Sequence, residues 1–274
     1  MVGPWSLAMS ARVWRRSSCV VDDLSSTSHN GTVGITFRAE CDWRLVEARI
    51  SQRDDHAVIH VTGDGDLEAA AAQVLRFTSL DVDATEWPRV AERDPVMADA
   101  QTQLEGLRPW GFHSPYEAAA WSVMVGRMRG DEAVRAWKGF IYQHGEEGAL
   151  PCPNVLRQRV EEMPGRKPGY LHDVAVAALD GRLDASFLRS LDPASARAKL
   201  GRIRGLGPAG IDTVLTLGAN APDLLPRHDR LLAQGMAERY GPEHDLSEVS
   251  EAWSPFRSWA ALYLGVLSEQ GTRE

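Results

Sequence analysis

The sequence predicts an α+β protein in which a small strand-rich α+β domain precedes a mostly α-helical core. Three observations carry this expectation. Runs of β-branched residues bounded by Gly and Asp occur early in the chain, in "GTVGITFRAE" and "AVIHVTGDG". From about residue 94 onward, Ala, Leu, Arg and Glu recur at helical period. The 274 residues, 43% hydrophobic and 25% charged, have ordinary globular composition and a length that suits roughly two domains.

Residues 1–29 read as a loose N-terminus. In "MVGPWSLAMSARVWRRSS" the arginines follow a short apolar stretch, the reverse of a secretory signal, and "SCVVDDLSSTSHNG" has linker composition. Residues 30–95 read as the small α+β domain: two strands with "SQRDDH" as a hairpin loop, then the helix "DLEAAAAQVLRFTSL" with Asp66 as its N-cap. Residues 96–274 read as the helical core. Its helices are expected over 94–105, 115–127, 130–144, 153–162, 168–180, 184–190, 193–203, 208–218, 229–240 and 255–269. Ser114 before Pro115, with Glu117 following, and Asp192 before Pro193 supply the same start signal twice.

Composition also excludes function classes. A net charge of −8 does not suit a protein that coats nucleic acid by neutralising phosphates. No apolar run approaches the roughly 18 residues that span a bilayer. Cys19, Cys41 and Cys152 are scattered and odd in number, so neither a disulfide framework nor a zinc or iron–sulfur site is expected. A cytoplasmic protein without membrane, metal or other cofactor is the expectation.

The most informative stretch is "AKLGRIRGLGPAGIDTVLTLG". Gly205 and Gly207 bracket Leu206, and Pro208 opens the next helix, which makes a very short turn between two helices. The first-turn amides from Pro208 through Ala209 and Gly210 can hold a phosphate without side-chain charge. An ordinary helix–helix turn has the same spacing. Between Arg189 and Arg239 eight basic residues face five acidic ones, so the segment is locally positive within an acidic chain. Arg202 and Arg204 can supplement the amides at a second phosphate, or form a solvated helix face. Asp229, in "LLPRHDRLL", can serve as the N-cap of the helix after it.

Hairpin, proline, aspartate and downstream helix together resemble the helix-hairpin-helix DNA glycosylases, whose G-[IVL]-G hairpin is followed by a catalytic aspartate. The resemblance is closest to the 3-methyladenine DNA glycosylase II branch. "DPVMADAQTQLEGLRPWGFHSPYEAAAWSVMVGRM", "LPCPNVL", "GRKPGYLHDVAVAALDGRLDASFL" and "WSPFRSWAALYLGV" resemble that branch in order along the chain. The resemblance implies a monomeric base-excision-repair enzyme acting on double-stranded DNA and hydrolysing the N-glycosidic bond of a flipped, alkylated purine.

It implies further that Asp229 is the catalytic carboxylate, stabilising an oxocarbenium-like sugar. Residues Gly205, Leu206, Gly207, Pro208, Ala209 and Gly210, with Arg202, Arg204 and His228, would contact DNA. Met128, beside Arg127, would be the wedge that replaces the flipped base, unless it packs in the core. Phe256 would line the base pocket by stacking, and Thr213 would leave that pocket barer than in the branch. Some relatives carry a nucleophilic lysine two positions after the second hairpin glycine; here that position is Ala209, so no lyase step is expected. A noncatalytic DNA-binding module that kept the hairpin and lost the pocket is the alternative.

Overall fold

The computed structural model describes residues 2–16, 28–29, 31–128, 130–160 and 166–271. The N-terminal expectation is corrected at once. Residues 7–16 form helix α1 (Leu7–Arg16), whose Leu7, Ala11 and Trp14 are buried at helical spacing, with Trp5 buried just ahead of it. An amphipathic stripe of that width needs an apolar partner, and it packs into the same core as the sheet. The linker read over 18–31 falls largely outside the described residues.

The sheet is antiparallel, with order β1 (Ser28–His29), β2 (Thr32–Arg38), β3 (Leu45–Arg53) and β4 (His56–Gly63). The sequence reading had missed β3, whose last residues it took for the hairpin loop. The register shows why β3 is a strand: Val33 faces Ile50, Ile35 faces Ala48 and Phe37 faces Val46, every one buried. Glu47 and Arg49 alternate onto the outer face, so the polar residues that disguised the strand are the outward half of its period. The loop shrinks to Asp54 and Asp55, with Asp54 at φ 53°. Helix α2 (Leu67–Phe77) follows, its N-terminus capped as expected by Asp66, which accepts from the Ala69 amide at 3.0 Å.

The rest is helical. In order come α3 (Pro88–Arg93), α4 (Pro95–Gln103), α5 (Pro115–Val125), α6 (Gly130–His144), α7 (Pro153–Arg159), α8 (Lys167–Leu179) and α9 (Ala185–Ser190). They are followed by α10 (Pro193–Leu200), α11 (Pro208–Thr213), α12 (Arg230–Arg239), α13 (Leu246–Val249) and α14 (Arg257–Gly271). Most starts are written locally, by a proline in the first turn or by a capping side chain such as Ser114, Asp184 or Asp192. The short α3 and α13 had not been anticipated.

Helix α11 runs without a break into a π-helical segment, Val214–Gly218. That wider turn is held by neighbouring chain: the Leu217 carbonyl accepts from the Phe112 amide at 2.8 Å. A Cβ on Gly111 would lie 2.0 Å from the same carbonyl oxygen, so the approach requires glycine.

Two buried arginines join the parts. Arg108 donates to the carbonyls of Val2, Pro4, Ser79 and Val82, which latches the N-terminal segment below α1. Arg76 on α2 donates to the Gly218 carbonyl at 2.7 Å and pairs with Glu40, tying the sheet to the end of the π segment.

Candidate active site

The hairpin is built as its residues demand. Ile203 and Leu206 are buried and pin the turn to the core. Gly205 has φ 85°, and a Cβ there would fall 2.4–2.7 Å from the ring and Cβ of Tyr170. Conformation and space therefore both require glycine. Gly207, the N-cap of α11, has open space where a Cβ would be and no capping side chain. Pro208 has no amide hydrogen, and the first-turn amides that follow it lack partners within the helix. Gly210 also has a packing role, because a Cβ would meet Leu206 Cδ1 at 2.9 Å and Ser122 Cβ at 3.0 Å.

Arg202 is exposed and forms no ion pair with a described residue. Arg204 is bound to Asp173 on α8 through both carboxylate oxygens. That hydrogen bonding holds the Asp173 carboxyl below its usual range.

Asp229 is an N-cap, and only one of its oxygens does the capping. Oδ1 accepts from the amides of Leu231 at 2.7 Å and Leu232 at 3.1 Å. Oδ2 takes no hydrogen bond from a described residue. The residue is exposed, and it stands on the wall of a cavity of about 630 Å³, within the size range of small-ligand sites. Thr213 and Thr216, on α11 and the π segment, line the same cavity. So do the aromatic residues Trp14, Trp110, Phe112 and Trp121. Trp14 and Trp110 meet edge to face at 5.4 Å between centroids.

The wall supplied by α1 is what sequence reasoning missed. The signal was present in "WSLAMSARVW", whose Leu7, Ala11 and Trp14 follow helical spacing. Phe256, by contrast, does not line the cavity. It is 2% exposed and packed between Trp87 and Trp259, at 5.6 and 5.1 Å. The large apolar ring is better satisfied in the aromatic core of α14 than at a wet rim. Trp253, Trp259 and Tyr263 are core residues too, as expected.

Arg127 and Met128 follow the C-terminus of α5, away from the cavity lining. Arg127 is exposed at φ 74°, and the Met128 amide donates to the Val125 carbonyl at 2.8 Å. A larger groove of about 830 Å³ lies between α6 and α8, with Arg135, Arg159 and Lys167 on its walls. It lacks Asp229 and is open to solvent. The smaller cavity, where the Asp229 carboxylate meets aromatic walls, is the candidate site.

His228 is occupied. Its backbone amide (3.0 Å) and Nδ1 (2.9 Å) both bond Oδ2 of Asp212, whose side chain is 3% exposed. The other oxygen of Asp212 accepts from Arg197 Nη2 at 2.8 Å.

No family profile matches the chain. The DNA-3-methyladenine glycosylase of Bacillus subtilis (strain 168) is 24% identical over 216 residues, spanning 72% of this chain and 71% of that protein. Among solved structures, the 3-methyladenine DNA-glycosylase from Archaeoglobus fulgidus superposes with a TM-score of 0.77 at 15% identity, covering 97% of this chain and 96% of that one. The Clostridium acetobutylicum 8-oxoguanine glycosylase/lyase, solved in complex with double-stranded DNA, gives a TM-score of 0.68 at 18% identity over 98% of this chain and 93% of its own. The chain is thus similar in sequence to a DNA-3-methyladenine glycosylase and shares, over nearly its whole length, the fold of solved DNA glycosylases.

Proposed function

We propose that the protein is a monofunctional DNA glycosylase that releases an alkylated purine from double-stranded DNA as a step of base excision repair. The observation that carries the proposal is Asp229: one oxygen is spent on the helix cap and the other is left open beside an aromatic-walled cavity next to the hairpin. In this reading the amides after Gly207 grip a phosphate near the lesion, and Arg202 supplements them. Arg127 and Met128 enter the stack where the base leaves. The flipped base enters the aromatic-walled cavity, where a cationic methylated purine is attracted to the π-face of a ring.

The N-glycosidic bond then breaks with its electron pair remaining on the base nitrogen. Positive charge develops at the anomeric carbon and its ring oxygen, opposite the Asp229 carboxylate. Water adds its oxygen to that carbon and gives up its proton, leaving an abasic site. No lysine is among the residues lining the cavity, and Ala209 stands where a Schiff-base nucleophile would be, so strand cleavage is not part of the reading. The relatives with 3-methyladenine in their names support the alkylpurine choice.

Asp229→Asn tests both the activity and the mechanism. Asparagine caps a helix about as well as aspartate, so thermal stability stays close to wild type. A preorganised charge is worth about 3–4 kcal/mol, so single-turnover base release from methylated duplex falls roughly 10²–10³-fold. An undiminished rate would show that Asp229 is a cap alone.

A further inference from the structure

Asp212 is a buried carboxylate that takes no part in the steps above, yet it holds the segment carrying Asp229. It lies on α11, just past the hairpin. Its bonds to the amide and Nδ1 of His228 reach the residue immediately before Asp229. Its bond to Arg197 reaches α10, and the same Nη2 donates to the Leu225 carbonyl at 2.9 Å. Residues 225–228 are thereby tied to both helices of the hairpin. Nδ1 is the ring nitrogen that meets Asp212, and Nε2 points away from it on a half-exposed ring. Apolar packing alone would hold the loop close. Charge-assisted bonds to the backbone of residue 228 also fix its direction.

We propose that Asp212 is a positioning residue: through His228 and Arg197 it couples the hairpin to Asp229, so that a phosphate held at Gly207–Gly210 sets where the carboxylate stands relative to the sugar. The assignment rests on the glycosylase reading, but its test includes a readout that does not. In the full-length protein, amide hydrogen exchange at Leu231 and Leu232 monitors the Asp229 cap, and exchange at Ala69, capped by Asp66, serves as the distant control.

In Asp212→Asn, exchange at Leu231 and Leu232 accelerates while Ala69 is unchanged. Single-turnover release from methylated duplex falls about tenfold to a hundredfold, with duplex Kd within about twofold of wild type. His228→Asn, whose amide can donate to Asp212 in place of Nδ1, keeps most of the rate, whereas His228→Ala behaves like Asp212→Asn. Unchanged exchange at Leu231 and Leu232 in Asp212→Asn overturns the assignment. So does a loss of rate matched by equal losses in duplex affinity or in Ala69 protection, the pattern of a merely structural residue. If Asp212→Asn does not fold, the two His228 variants decide by the same criteria. A wild-type protein that releases no base defeats the glycosylase reading instead, and the exchange data still judge the coupling.

Discussion

Gly205 shows how narrowly a single residue can be specified. Positive φ costs a side chain about 1–2 kcal/mol, and the Tyr170 ring occupies the space into which a Cβ would project. Gly205→Ala should therefore lower stability by about 2–4 kcal/mol once overpacking is added, read as a fall in Tm. Duplex affinity should fall with it, because α11 can no longer present its first turn. Asp229 was legible as a cap and, by the resemblance, as a compatible catalyst, but sequence does not show that one oxygen takes both cap bonds and the other is left open. Arg204 carries a bond that the sequence did not show. Its partner Asp173 is distant in the sequence, and charge counted along a segment does not reveal pairing across helices.

Among the elements, α1 is the part of the cavity wall that the sequence reading left out. Its Trp14 is 4% exposed, packs on Trp110 and forms part of the cavity wall. Trp14→Ala should cost about 3–5 kcal/mol and reduce base release, measured by melting and by single-turnover excision on the same preparation. Release at the wild-type rate from a measurably destabilised variant would remove α1 from the site. Most helices were readable because their start signals are local: proline, a capping oxygen, a following glutamate. Strand β3 and helices α1, α3 and α13 were less so. They are short or charged on one face, and their burial depends on neighbours that no sequence window contains.

At the scale of the whole molecule, the sheet and the helical core meet at Glu40 and Arg76. Burial pushes the Glu40 carboxyl up to about 7, against the pull of the Arg76 guanidinium and with a smaller push from Asp184. A carboxyl raised from 4.5 on folding contributes stability that is fully present below that value and is lost as pH rises through about 7. Relative to Glu40→Gln, the wild-type Tm should therefore drop between about pH 5 and pH 8, and a parallel course of the two melting curves would exclude this carboxyl as the cause.

The cavity wall draws on both α1 and α14, elements at opposite ends of the chain, whereas the hairpin is complete by Gly210. Synthesis proceeds from the N-terminus at about 5–20 residues per second, and structure forms as segments emerge. A ribosome-bound chain still lacking residues 257–271 has the whole hairpin but only part of the cavity wall. The order of translation thus completes the hairpin before the cavity, which under the proposed function would put the hold on DNA ahead of base release.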